Sequence, residues 1–137
     1  MAEIERPLPR FPEPDTQAFW EATKGHTLRY QVCNQCGGLV FFPRRHCTHC
    51  TSVDLRWESS KGEGTLYTYT IIRQNGHPYF RAKLPYVIAY VDLDEGFRMM
   101  TELVGIDDLS QLDCGKRVHL DWEEHEEVNL PVFRLAE

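Results

Sequence analysis

Two Cys-x-x-Cys pairs, Cys33 with Cys36 and Cys47 with Cys50, constrain this chain more than any other feature of it. Two residues between thiols let a tight turn aim both sulfurs at one point, and two such turns close a tetrahedral cage around zinc. The ten residues between the pairs suffice for a small hairpin that brings the second turn under the first. In the first turn, Cys33-Asn34-Gln35-Cys36-Gly37-Gly38, the glycines remove the Cβ penalty where the backbone must curl round the metal. The second, Cys47-Thr48-His49-Cys50-Thr51, lacks a glycine. With four thiolates and no open position such a site is structural, supplying folding free energy and no chemistry of its own. A redox dithiol, a pair of disulfides and rubredoxin-type iron are the competing readings of the spacing. His46 and His49 flank the thiols, either as solvent-facing neighbours or in place of one ligand.

At 137 residues the chain has room for one compact domain with one hydrophobic core and a small appendage. Its formal net charge is −6, from 15 basic and 21 acidic residues, so the whole-molecule field repels polyanions. Nucleic acid is therefore not expected as a partner. The first residues, Met1 to Pro7, show neither a secretory apolar run nor an arginine-rich amphipathic pattern, and no later stretch is apolar enough to span a bilayer. The expectation is a cytoplasmic protein without membrane contact, in a reducing compartment that disfavours disulfides. Glu123, Glu124, Glu126 and Glu127 cluster around His125 and read as a solvated loop between two strands.

Prolines at 7, 9, 12 and 14 describe an extended arm, and Asp15 or Thr16 then caps a helix at about 15 to 24 that Gly25 ends. Phe19 and Trp20 are bulky for so short an element and must bury, against the domain or against another protein. Leu28 to Val32 alternates like a strand into the first cysteine turn, Leu39 to Pro43 reads as the strand out of it, and Leu55 to Trp57 closes the ribbon. After Gly62 the character changes to long runs of β-branched and aromatic residues. Strands are expected at 65–72, 86–93, 97–104, 117–122 and 132–135, with a turn-rich or helical piece from Ile106 to Leu112. Five strands with a break between the third and fourth is the order of an OB-fold barrel. The fold class is mainly β: an arm with a short helix (1–29), a rubredoxin-like zinc ribbon (30–57) and a C-terminal five-stranded OB-fold barrel (58–137).

The assembled pattern resembles the zinc-ribbon plus OB-fold family catalogued as domain of unknown function thirty-five, described as acyl-CoA-associated. The matching stretches are Phe19-Trp20, Cys33-Asn34-Gln35-Cys36-Gly37 with Phe42-Pro43-Arg44, Cys47-Thr48-His49-Cys50, Gly62 to Thr70, Leu84 to Gly96, and Pro131-Val132-Phe133-Arg134. The resemblance implies a non-catalytic accessory subunit. It would dock on a thiolase-superfamily enzyme (a thiolase, condensing enzyme or aldolase), support acyl-CoA binding and leave the nucleophile and catalytic histidines to the partner.

The residues themselves propose no nucleophile, base and oxyanion stabiliser in one place. Cys114, the one thiol outside the pairs, sits in a turn with Asp113, Gly115 and Lys116 and reads as an ordinary surface or half-buried cysteine. Between the first two barrel strands, the segment 73–83 sets Arg73, His77, Arg81 and Lys83 beside Tyr79 and Phe80, where the fold usually places ligands. Cations that hold phosphate beside a ring that stacks on a base suit the adenine nucleotide half of coenzyme A. A surface loop that docks on the partner is the equal alternative. Arg44 and Arg45 offer further phosphate contacts or simple solvent exposure. Phe19, Trp20 and Phe42 are candidate apolar anchors for docking. The rival class is a single-stranded nucleic-acid module, with Tyr67, Tyr69, Tyr86 and Tyr90 as stacking platforms.

Overall fold

Helix α1, Pro14–Lys24, begins as soon as the run of prolines stops: Pro14 takes the first helical position, where a missing N–H costs nothing. The cap expected at Asp15 or Thr16 therefore falls two or three residues earlier, on Glu13, and Asp15 sits in the first turn beside the positive end of the helix dipole. Gly25 ends the helix by donating to the Ala22 carbonyl, but the left-handed residue is His26, with φ 56°. The structure is a computed structural model that describes residues 5–10 and 13–136, so residues 1–4, 11 and 12 of the expected arm lie outside it.

The ribbon is a three-stranded antiparallel sheet, with β1 (Arg29–Cys33) between β2 (Leu39–Val40) and β3 (Leu55–Ser59). The strand expected over Leu39 to Pro43 stops after Val40. Phe41 leaves the strand path to stack on Phe97 at 4.9 Å and to meet Phe19 at 5.8 Å, so burial of its ring outweighs continuation of a two-residue ladder.

β4 (Glu63–Ile72), β5 (Tyr86–Leu93), β6 (Arg98–Leu103), β7 (Arg117–Glu124) and β8 (Asn129–Leu135) close a barrel in the order β4-β5-β6-β8-β7. β7 pairs back onto β4 through Gly64 and Val118, and the parallel contact of Leu103 with Phe133 joins β6 to β8. This is the five-stranded OB arrangement. A one-turn helix α2, Pro78–Arg81, interrupts the long β4–β5 connection, and a 3-10 turn at Leu109–Gln111 lies between β6 and β7. β8 begins at Asn129, three residues before the expected start, because Pro131 stands opposite Trp122 inside the β7 ladder and does not bound it.

Barrel and ribbon share one core. Leu66, Val87, Val91, Val118 and Phe133 fill the barrel, and Phe19, Leu28, Tyr30 and Val32 from the helix and ribbon join the same cluster. The Tyr30 ring stacks on Phe97 at 4.7 Å. Glu95, in the β5–β6 turn, accepts from the Ser60 hydroxyl at 2.7 Å and the Lys61 N–H at 2.8 Å, fixing the chain where ribbon becomes barrel. Gly62, at φ 76°, lies so close to Leu120 that a Cβ would sit 2.6 Å from the Leu120 Cβ. A metal-held ribbon is therefore mechanically continuous with the barrel.

Candidate functional site

The two cysteine turns are built alike. In the first, Gly37 N–H donates to the Cys33 carbonyl and Cys33 N–H to the Gly38 carbonyl, both at 2.9 Å. In the second, Thr51 N–H donates to Cys47 at 3.0 Å and Cys47 N–H to Ser52 at 2.8 Å. The residue after the second cysteine is left-handed in both, with φ 74° at Gly37 and 67° at Thr51. Thr51 thus adopts, at a steric cost, the conformation that a glycine provides in the first turn.

The four sulfurs of Cys33, Cys36, Cys47 and Cys50 all lie within 4.8 Å of one another. Cys33 to Cys50 is 3.5 Å and Cys36 to Cys47 is 3.6 Å. Four sulfurs at about 2.3 Å from a tetrahedral zinc are separated by about 3.8 Å, so this set fits the ion. Backbone N–H groups already point at the sulfurs: Cys36 to Cys33 at 3.4 Å, Gly38 to Cys36 at 3.4 Å and His49 to Cys47 at 3.3 Å. Such donors stabilise thiolates. The N–H of Cys36 leads in drawing the Cys33 thiol down to about 6. Burial opposes the shift at Cys47, where the N–H groups of Cys50 and His49 still draw it down. Cys50 also receives an N–H, from Ser52, but burial and the three neighbouring thiols push it up to about 12. Cys36 likewise moves up, against the Gly38 N–H, through burial and its neighbours. Four thiols so crowded share protons between them, which a divalent cation replaces.

Neither histidine enters the cage. His46 is exposed. The His49 Nε2–H donates to the Leu39 carbonyl at 3.1 Å, and its ring packs against Gly38, where a Cβ would stand 2.5 Å from His49 Cδ2. Among the described residues this four-cysteine group is the metal-ligating cluster found, and Cys114 is exposed.

Arg73, His77, Arg81 and Lys83 lie along the β4–β5 connection on and around α2, whereas Arg44 and Arg45 lie in the ribbon near the start of α1. His77 caps α2 by accepting from the Tyr79 N–H on Nδ1, and Arg81 donates to the Gly76 carbonyl at 3.1 Å. The α2 turn has a local signal, a capping side chain directly before a proline. Arg73, His77 and Arg81 are exposed. Lys83 differs: its ammonium lies 2.6 Å from Glu102 and 4.0 Å from Glu123. Glu102 is only 9% exposed. The structure adds a residue without a local sequence signal, Arg6 of the arm. Its Nε stands 3.0 Å from Glu123 and its guanidinium lies 5.4 Å and 5.2 Å from the rings of Tyr79 and Phe80. His125 Nε2 completes the group 2.6 Å from Glu123. The acidic segment is therefore only partly a solvated loop, since Glu123 is the hub of this network and Glu124 meets His26 at 2.9 Å.

Of the three aromatic anchors, Phe19 is core, Trp20 is half-buried and Phe42 is 48% exposed. Tyr67 and Tyr90 are also exposed. Tyr69 donates to the Leu112 carbonyl and the Tyr86 hydroxyl accepts from Asn75.

A four-thiolate ribbon sharing one core with a closed OB barrel defines the class: a zinc-ribbon/OB-fold protein with a structural metal site. Two family models match, one described as ChsH2, rubredoxin-like zinc ribbon domain over residues 20–56, the other as ChsH2, C-terminal OB-fold domain over residues 57–123. A solved structure described as Ltp2-ChsH2(DUF35) aldolase is similar with a TM-score of 0.83 and 38% identity, covering 94% of this chain and 100% of that one. The chain belongs to the DUF35 family of zinc-ribbon and OB-fold proteins. A probable enoyl-CoA hydratase alpha subunit of Thermomonospora curvata is 42% identical over 121 residues, 87% of this chain but 37% of that relative, so the chain spans little more than a third of its length. Benzoylsuccinyl-CoA thiolase subunit BbsA of Geobacter metallireducens is 29% identical over 127 residues, 86% of this chain and 82% of that relative. Among the described residues no helix is long and apolar enough to cross a membrane.

Proposed function

We propose that this chain is a non-catalytic accessory subunit that docks on a thiolase-superfamily enzyme and supports its handling of acyl-CoA during carbon–carbon bond cleavage or formation. The observation that carries this reading is the 0.83 TM-score match over the whole of the DUF35 chain of an aldolase. The thiolase subunit among the relatives supports it further. In this reading the reactive groups belong to the partner, and the chain contributes a rigid, metal-pinned surface. Of that surface Phe42 is the exposed aromatic anchor beside the half-buried Trp20.

The same reading gives the α2 loop a role toward coenzyme A. Arg73, His77 and Arg81 are exposed cations available to phosphate, beside the rings of Tyr79 and Phe80. Lys83, tied to Glu102, fixes the end of that loop. Glu126 and Glu127 line one depression with Tyr79 and Arg6, and Glu123 is paired with Arg6, which disfavours a nucleic-acid strand there.

The test is affinity capture of the tagged full chain from its native source. Recovery with a thiolase-type subunit is expected, and recovery of the chain strictly alone would contradict the assignment. Titrating coenzyme A into the captured complex, against one carrying Arg73→Ala, Arg81→Ala and Lys83→Ala together, tests the loop. Equal affinity in the two would remove it as a phosphate site.

A further inference from the structure

Among the described residues, the polar hold of the N-terminal arm on the barrel comes from one side chain. Residues 5–10 form neither helix nor strand and make no backbone hydrogen bond, and Pro7 and Pro9 have no N–H to give. Arg6 supplies the grip. Its guanidinium lies 5.4 Å and 5.2 Å from the ring centroids of Tyr79 and Phe80, which meet edge to face, and its Nε and Nη2 stand 3.0 Å from Glu123 and 3.9 Å from Glu102. Two rings and two carboxylates around one guanidinium are the parts of an arginine-binding box, since the rings attract the planar cation and the carboxylates accept its N–H groups.

Arg6 fills this box imperfectly. Its Nε and Nη1 are buried without an aligned hydrogen bond among the described residues, and the Glu123 oxygen facing Nε is the one that His125 Nε2 holds at 2.6 Å. The Glu102 oxygen nearest Nη2 is likewise taken, by Lys83 at 2.6 Å. Buried donors left unpaired are a cost that the docked arm carries and the released arm, in water, does not. The charges left behind favour another cation. With Arg6 gone, Glu102 and Glu123 face Lys83 and His125, and Glu126 and Glu127 line an adjoining depression of 530 Å³ through which a side chain can reach Tyr79. An anion meets four carboxylates there.

We propose that Arg6 is a displaceable self-ligand, and that the box of Tyr79, Phe80, Glu102 and Glu123 takes an arginine side chain of a partner polypeptide when the arm swings away. An incoming guanidinium is free to choose the approach that aligns its donors, which the tethered Arg6 is not. The closed arm meanwhile keeps two rings and two carboxylates covered in the unpartnered chain. The accessory role bears only on which polypeptide supplies the arginine; the box belongs to this chain and is tested without a partner, so the two proposals fail separately.

The experiment is an NMR titration of the zinc-loaded full chain, following the backbone amides of Tyr79 and Phe80. The probe is N-acetyl-arginine methylamide, and its neutral isostere N-acetyl-citrulline methylamide is the control. Arg6→Ala empties the box, so it should bind the arginine probe about tenfold more tightly than wild type, where the docked arm competes. On Arg6→Ala the citrulline probe, and the arginine probe after a further Glu123→Gln, should each bind about tenfold more weakly. In wild type, saturating arginine probe should move the Arg6 Nε–H resonance to its position in a free peptide. No saturable shift in Arg6→Ala would overturn the box. Equal affinity in wild type and Arg6→Ala, or an Arg6 resonance that stays in place at saturation, would overturn displacement of the arm. Equal binding of citrulline, or indifference to Glu123→Gln, would overturn recognition of the guanidinium by its charge.

Discussion

Thr23 and Asn129 stand 106 residues apart in sequence and are bound to each other twice inside the protein. The Asn129 side-chain amide donates to the Thr23 carbonyl at 3.0 Å, and the Asn129 backbone N–H donates to the Thr23 hydroxyl at 3.3 Å. That hydroxyl in turn donates to the Trp20 carbonyl at 2.6 Å. Thr23 is wholly buried and Asn129 nearly so. This pair fastens the end of α1 to the start of β8.

Asn129→Leu leaves the half-buried His125 N–H without its acceptor and takes from the buried Thr23 carbonyl one of its two donors, the other being the His26 N–H. The expected loss is about 2 kcal/mol of stability, read from urea denaturation. An exposed control such as Gln74→Leu should change stability by less than about 0.5 kcal/mol.

Thr51 holds a β-branched side chain at φ 67° where its counterpart is Gly37. Thr51→Gly should therefore tighten the ribbon, by about 1 kcal/mol after the entropy of the added glycine is subtracted. Resistance of the metal to a competing chelator measures it. Gly37→Thr should move the other way.

Glu102 is shielded, and Lys83 is its nearest cation. Lys83→Met leaves that carboxylate with only the more distant Arg6, at 3.9 Å, and should cost about 2 kcal/mol, whereas Lys83→Met combined with Glu102→Gln should recover most of it. Thermal melts of the two variants check the coupling.

Acid should act through carboxylates held below their usual range: Asp94 by the Arg117 guanidinium, Asp108 by the Ser110 hydroxyl and N–H, and Asp121 chiefly by Arg134. A lowered folded value means the unfolded chain binds protons first. The stabilisation is complete above about pH 4 and disappears as pH falls through the folded values. Arg117→Ala should erase part of the wild-type advantage at pH 6 and progressively less of it as pH falls below about 4, measured by denaturant titration at each pH.

The cysteine spacing made the metal cage legible because its geometry is local, two turns that each close within five residues. Barrel order was legible for a similar reason, since alternating β-branched runs and turn residues mark every strand. Phe41 was misplaced in a strand because its destination, the face of Phe97, lies more than fifty residues away and leaves no trace in periodicity. Arg6 was invisible for the same reason. Nothing in an arm of alternating prolines says that its arginine reaches a carboxylate in β7. Glu123 read as solvated because the cation that half-buries it comes from the far end of the chain.

Under the proposed function, the metal-pinned ribbon holds the barrel in the shape that a catalytic partner requires. The direct test removes zinc from the purified complex with a chelator and measures both retention of the partner and joint turnover. Both are expected to fall together and to return when zinc is restored. Full partner binding and full turnover in the metal-free complex would contradict it.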